Sequence, residues 1–311
     1  MDNLGDIRLF VLAASLGSLS AAGRKLGLSP AAASARLVKL EATLQTRLFE
    51  RTTRQLRLTD EGRLYLAQCE PALQALDDAG AALQAGHSVV RGKIRLSATS
   101  DFGRHGLMVW LDEFNERYPD VRFSLTLSDN LSNLLQDEID LALRFAVPPD
   151  SGLVARRLAP NRRVLCAAPS YIALHGMPSH PDDIEQFQCI LLSGASGPAS
   201  EWRFQRGDDV ATCHVAPEDC RETNDGALAR AWAIDGHGLV LKSIWDVVAD
   251  VRAQRLQIVM PEWRAPDMPV HAIFHRNRYM APRVRALLDF LVAKFDAAST
   301  ELAVYLEPMA G

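Results

Sequence analysis

The sequence predicts an α/β protein with an all-α N-terminal module, and three observations predict it. Residues 1–60 place apolar side chains at helical spacing, with capping signals between the runs. Residues 60–85 read as one long helix. From residue 91 short alternating runs interleave with helical stripes, which implies mostly parallel sheets covered by helices. The 311 residues are 48% apolar and 23% charged, an ordinary globular composition.

Leu4, Ile7, Phe10 and Val11 form the first stripe, broken at Gly17-Ser18. A short second helix holds Ala21, Ala22 and Leu26 and stops at Gly27. Ser29-Pro30, a capping serine followed by proline at the first helical position, starts a third helix with Leu37, Leu40 and Leu44 on one face. Two helices joined by a turn this short make helix-turn-helix geometry. Residues 50–59, ERTTRQLRLT, read as a small β-wing, and Thr59 caps the long helix. There Leu66, Cys69, Leu73, Leu76, Gly80 and Leu83 step by three and four, a seam for a two-helix coiled coil. Packing on its own domain is the alternative. Pro71 is expected to kink this helix.

In the second part strands are predicted at 93–98, 121–127, 139–145, 163–168, 189–193, 239–242, 256–259 and 270–275. Helices are predicted near 225–235, 243–250 and 282–296, a further one through Leu107, Trp110, Leu111 and Phe114, and a hairpin around Gly207.

The net charge of −4 argues at face value against nucleic acid, but it is unevenly spread. Residues 21–58 hold eight basic and two acidic residues, a local +6, which leaves −10 for the remainder. A basic module on an acidic body follows. No apolar run reaches the ~18 residues of a membrane span, and the acidic start MDNLGDIRLF does not suit export. Five cysteines without a C-x-x-C pair fit free thiols in a reducing compartment, so a cytoplasmic location is expected.

The stretch LFVLAASLGSLSAAGRKLGLSPAAASARLVKLEATLQTRLFERTTRQLRLTDEG resembles a LysR-type transcriptional regulator. So do RGKIRLSATSDFG, LSDNLSNLLQDEIDLALRF, LVARRLAPNRRVLCAAPSYIALHG, TNDGALARAWAIDGHGLVL and PVHAIFH, in that order, and the likeness covers about residues 1–297. It implies a winged helix-turn-helix (1–59), a linker and dimerisation helix (60–90) and a two-lobed effector domain similar to periplasmic binding proteins (91–297). Lobe I would take 92–161 and 270–297 and lobe II 164–265, the chain crossing near Arg162-Arg163 and Pro266–Pro269, with 298–311 a tail. The implied protein is no enzyme and needs no cofactor or metal. Its partners would be an inverted-repeat DNA operator, a small-molecule effector, further copies in a homodimer or homotetramer, and RNA polymerase if it activates.

The chain departs from the family pattern at three places. Ser34-Ala35-Arg36 shifts the base-reading arginine, Gln45 stands where glycine is common, and Leu241-Lys242-Ser243 replaces a frequent Leu-Pro.

DNA contacts are expected from Ser29, Pro30, Ala31, Ser34, Arg36 and Lys39 on the third helix, with Arg36 suited to a guanine edge. Arg51, Thr52 and Arg54 on the wing suit phosphate or the minor groove. A merely solvated basic face is the alternative. Effector contacts are expected where ligands gather in open α/β sheets, at strand ends and helix starts. The candidates are Thr99, Ser100, Phe102, Ser128, Phe145, Ser193 and Asn224, which for Ser and Thr compete with plain capping and for Phe145 with core packing. Two helix starts facing one cleft suggest a small carboxylate.

Other chemistries fit poorly. Ser196 in GASGP lacks the last glycine of a nucleophile elbow. Cys213, His214 and Cys220 match no zinc spacing and read as core or hairpin residues, with a Cys213–Cys220 redox pair the alternative. A two-lobed binding protein or enzyme with an incidental helical module remains the second functional class. A non-specific DNA-packaging protein is a third, and it would leave the α/β body unexplained.

Overall fold

A computed structural model describes residues 4–51, 56–83, 90–129, 139–145, 153–194, 197–275 and 280–306. The chain forms two compact units, residues 1–88 and 89–311.

In the first unit, helices α1 (Leu4–Leu16), α2 (Leu19–Lys25) and α3 (Pro30–Leu44) surround a core of Leu9, Phe10, Ala22, Ala33, Leu37 and Leu40. Ser18 and Ser29 cap α2 and α3, each hydroxyl accepting from a backbone N–H at 3.2 Å. The antiparallel wing strands β1 (Phe49–Arg51) and β2 (Leu56–Leu58) follow. The Glu41 carboxylate pins their entry by accepting from Leu48 N at 2.8 Å. Thr59 Oγ1 caps helix α4 (Asp60–Leu83) by accepting from Gly62 N at 2.9 Å.

Helix α4 runs on through Pro71. Of its seam, Leu66 is half-buried and Cys69 and Leu73 are buried within the single chain, as packing on its own domain requires; Leu76 is exposed.

The second unit holds two mixed sheets. The first sheet is built from β3 (Gly92–Ala98), β4 (Val121–Leu127), β5 (Leu141–Arg144) and β6 (Leu153–Ala159), with β15 (Val270–His275) returning late. Its order is β4-β3-β5-β15-β6. Between β3 and β4 the chain is helical without a break: α5 (Ser100–Phe102), a π-helical turn (Gly103–Leu107) and α6 (Met108–Arg117).

The second sheet comprises β7 (Arg163–Ala167), β8 (Cys189–Gly194) with the short β9 (Gly197–Pro198), β12 (Arg221–Thr223), β13 (Leu239–Ser243) and β14 (Gln257–Ile258). Its order is β12-β8-β13-β7-β14. Helix α7 (Pro169–His175), the hairpin β10 (Glu201–Arg206) and β11 (Asp209–His214), α8 (Gly226–Ile234) and α9 (Ile244–Arg252) cover it.

The expectation of mostly parallel sheets is corrected. In each sheet two neighbouring pairs are parallel and two antiparallel, because one strand runs against the rest: β15, which returns after the second crossing, in the first sheet, and β7, the first strand after the first crossing, in the second. The tail expected from 298 is corrected too. Helix α10 (Pro282–Leu306) continues into it as far as Leu306, with Leu302 buried and Arg264 donating to Leu306 O at 2.6 Å, and 307–311 lie outside the described residues.

The chain passes between the sheets twice, and the passages are tied. Met268 N donates to Asn161 O at 2.9 Å, and Asn161 Nδ2 donates to Met268 O at 2.8 Å. Ser243 Oγ donates to Asn161 Oδ1 at 2.7 Å.

A buried ion cluster joins the lobes. Asp101 of α5 meets Lys242 of β13 at 2.7 Å, and Lys242 also meets Asp246 at 2.9 Å. Arg230 of α8 bonds Asp250 at 2.5 Å and lies 3.7 Å from Asp101. Burial alone would lower Lys242, but Asp246 and Asp101 outweigh it and hold the ammonium above its ordinary range. Burial pushes Asp246 up to about 6 against the pull of Lys242, and Asp101 adds to the rise. Removing one partner of such a cluster strands a buried charge, at about 3–5 kcal/mol.

Two expected outcomes follow from these contacts. Gln45 ends α3 in the left-handed region, φ 52° and ψ 30°. That conformation costs a side chain about 1–2 kcal/mol, partly offset by the entropy glycine loses on folding. Gln45→Gly should stabilise the first unit by up to about 1 kcal/mol, read as a higher denaturant midpoint at unchanged slope; a lower midpoint would show that the glutamine side chain contributes more than the strain. For Asp246, the folded chain keeps a proton that the unfolded chain releases above 3.8, up to about 6. This group's contribution to stability therefore falls as pH rises through that window. The melting temperature of Asp246→Asn, relative to the native chain, should climb from about pH 4 to about pH 7. A difference constant across that range would contradict it.

Candidate functional site

Ser29, Pro30, Ala31, Ser34 and Lys39 all lie on the exposed side of α3. Ala35 and Val38, 45% exposed, complete this face and were missed from the sequence because small and apolar residues give no charge signal. Small side chains let a helix approach a groove closely, and an apolar one suits a thymine methyl. Arg36 is half-buried, its Nε 3.7 Å from the buried carboxylate of Asp6 on α1. It therefore neutralises Asp6 as well as reaching the surface. Arg51 ends β1, while Thr52 and Arg54 lie outside the described residues.

Between the two sheets of the second unit lies a cavity of about 130 Å³. The first sheet's side contributes Thr99, Asp129, Arg144 and Phe145. The second sheet's side is mainly apolar, with Ile190, Leu192, Trp202 and Val240, but also presents Arg163 and Lys242. Asn161, Ser243 and Met268 close the hinge side.

The other candidates stand around this cavity rather than in it. Ser100 is buried, and its single hydroxyl proton is shared between Asp129 Oδ2 at 2.5 Å and Asp225 Oδ1 at 2.9 Å. Phe102 turns into the first lobe's core, against Trp110, Phe145, Trp245 and Phe295. Ser128 donates its backbone N–H to Ala98 O at 3.0 Å. The Ser193 hydroxyl donates to Glu222. Asn224 is exposed, and its neighbour Asp225 caps α8, accepting from Ala227 N at 2.8 Å.

Both helix starts facing the cavity already hold an anion. Asp129 Oδ1 accepts from Ser100 N at 3.0 Å, and Asp129 Oδ2 accepts from Gly226 N at 2.8 Å. A carboxylate of the first lobe thus sits at the start of α8 in the second, where helix dipoles favour negative charge. A Cβ on Gly226 would come within 3.0 Å of Lys242 Nζ and 3.2 Å of Asp129 Oδ2, so a side chain there would have to push both groups back by a few tenths of an ångström. The π-helical turn carries Arg104 to Asp225 at 3.2 Å and His105 to Asp101 at 3.0 Å. Burial pushes Asp225 up, but hydrogen bonds from Ser100, Ala227, Leu228 and Arg104 win and hold it below the usual carboxylate range.

Arg144 is 3% exposed. Its Nη1 donates to Leu143 O at 2.8 Å and its Nη2 to Ser97 Oγ at 2.7 Å, while Nε has no partner among the described residues. Burial lowers its pKa to about 10, against the pull of Asp129. Asp129 and Arg144 were not singled out from the sequence, and Lys242 stood out only as a departure from the family pattern, since a buried charge and a surface charge are spelled alike.

No group of three or more His, Cys, Asp or Glu among the described residues is arranged to hold a metal. Burial pushes the Cys213 thiol up to about 11, opposite to what a reactive thiolate needs.

Family models match both units. Residues 4–63 match the bacterial regulatory helix-turn-helix protein, lysR family, and residues 87–296 match the LysR substrate binding domain. An HTH-type transcriptional regulator of Xanthomonas campestris pv. campestris is 33% identical over 302 residues, 95% of this chain and 87% of the relative. The regulator DmlR of Escherichia coli is 31% identical, covering 93% of each chain. Among solved structures, CrgA of Neisseria meningitidis, a LysR-type transcriptional regulator, aligns with TM-score 0.61 at 30% identity over 95% of this chain and 99% of its own. AphB of Vibrio cholerae aligns with TM-score 0.58 at 25% identity over 94% and 99%. The chain therefore belongs to the LysR family of transcriptional regulators, with a helix-turn-helix DNA-binding domain followed by an effector-binding domain.

Proposed function

We propose that α3 reads an inverted-repeat operator from the paired heads of a homodimer, itself paired into a tetramer, and that a small molecule in the interlobe cavity sets the outcome. The observation that carries the DNA part is the exposed face of α3, which begins at a serine cap and combines small residues with Arg36 and Lys39. The local +6 of residues 21–58 supplies the phosphate attraction. The exposed Leu76 on α4 supports pairing of copies along that helix.

The cavity between two lobes hinged at Asn161 supports the effector part. A ligand that prefers one lobe arrangement shifts the population towards it, and contact with RNA polymerase would follow if the protein activates. The relatives' regulatory descriptions support a non-enzymatic reading. No helix of the described residues is long and apolar enough to cross a membrane, and a DNA target suits the cytoplasm.

The test is a mobility shift on the DNA upstream of the chain's own gene, at several salt concentrations. The native chain should prefer that DNA over random duplex. Arg36→Ala should lose about 1–3 kcal/mol of discrimination at one operator position. Because Arg36 also faces Asp6, Asp6→Asn/Arg36→Ala is measured beside it, with the melting temperature of each. Equal loss on specific and random DNA in a folded variant would remove Arg36 from base reading.

A further inference from the structure

Helix α10 begins in one lobe and ends on the other. Up to Phe295 it belongs to the first lobe, where Val284, Leu287, Leu291 and Phe295 are buried in the core. There Arg283 Nε donates to Lys93 O at 2.8 Å, and Lys294 pairs with Glu113 of α6. Its last two turns belong to the second lobe. Tyr305 and Leu306 pack against the core cluster that holds Val164, Val240 and Val247. Arg252 of α9 donates to Glu301 O at 3.2 Å, and Arg264 donates to Leu306 O at 2.6 Å. The chain already crosses between the lobes twice, so this helix is a third tie between them. The match to the LysR substrate binding domain stops at residue 296, before these two turns.

A helix resists sharp bending unless proline, glycine or an inserted group interrupts its hydrogen bonds. Residues 283–306 contain neither proline nor glycine. At 25 residues, α10 is a rod about 37 Å long. With both ends seated, the lobes can turn against each other only about its axis, and any other rotation must release one end. At the first-lobe end Leu287, Leu291 and Phe295 are fully buried. At the other end the Arg252 and Glu301 side chains are 48% and 70% exposed, and such a pair contributes little. Tyr305 and Leu306 are only half-buried. The second-lobe end is therefore the one that lets go.

We propose that residues 299–306 form a releasable strap. Seated against α9 and Arg264, they hold the two lobes in the arrangement described above, and their undocking frees the second lobe to move. The regulatory meaning of the strap rests on the reading that lobe rearrangement sets the outcome at the operator.

Amide hydrogen exchange on the full chain tests this, because exchange reads local opening. The reporter is Gly226 N, which donates across the lobes to Asp129 Oδ2 at 2.8 Å. Strands β3 and β13, each inside one lobe, are the controls. Two variants undock the strap: Leu302→Asp, which puts a charge at a buried position, and a chain ended after Ala298, which removes the strap outright. In both, exchange at Gly226 should rise about tenfold while β3 and β13 keep their native rates. Faster exchange confined to α9 and the end of α10, with Gly226 unchanged, would overturn the proposal and leave a packed terminus. A rise in the control strands as large as that at Gly226 would overturn it too, since the helix end would then support the whole fold. Operator binding by the same variants tests the regulatory reading separately: an affinity that stays fixed while Gly226 exchange rises counts against that reading and not against the strap.

Discussion

The second unit depends on a buried cation. Lys242 is 5% exposed, and its charge persists only because Asp101 and Asp246 stand within 2.9 Å. One carboxylate comes from the first lobe and the other from the second. The ammonium therefore acts as a rivet: sliding one lobe over the other would strand a buried charge. Arg230 and Asp250 extend the same arrangement behind it. Apolar contact between the lobes is also present, through Trp245 of the second lobe against Phe102 and Phe295, but it lacks the directionality of paired charges. Paired charges tolerate little misplacement, and they hold the cavity walls at a set distance.

Around the rivet, the remaining interlobe contacts grade from buried to exposed. The Asp129–Gly226 and Ser100–Asp225 bonds are part-buried, whereas the Arg104–Asp225 pair is 45% and 36% exposed. An exposed pair contributes about 0–1 kcal/mol, so that edge opens at little cost. The hinge side, with three hydrogen bonds around Asn161, does not.

Local chemistry made most of the fold legible. Ser18, Ser29 and Thr59 mark helix starts because their hydroxyls must satisfy backbone donors wherever a helix begins. Strands 121–127 and 270–275 fall at their expected limits because alternation tracks a half-buried face. Strand β6 was missed: Arg156 and Arg157 in its middle are exposed, as an edge strand permits, and read as loop. The end of α10 was missed because its contacts, Arg252 to Glu301 and Arg264 to Leu306, join residues far apart in the chain. The two departures at Gln45 and Lys242 did carry information. One marks a left-handed turn occupied by a residue with a side chain, and the other marks the buried cation.

The candidate effector residues divide on the same principle. Position in a loop found the right neighbourhood, and Thr99 and Phe145 line the cavity. Loop position says nothing about which way a side chain turns, so Phe102 lies in the core and Asn224 at the surface. The helix starts at Ser100 and Gly226 pointed to a carboxylate, and a carboxylate is there, but it belongs to the chain. A helix start attracts whichever anion costs least to bring, and Asp129, tethered one residue beyond Ser128, loses far less freedom than a free ligand. Filling that position internally leaves the helix ends satisfied and turns the cavity's electrostatics towards its buried guanidinium at Arg144, whose pKa burial lowers and Asp129 raises.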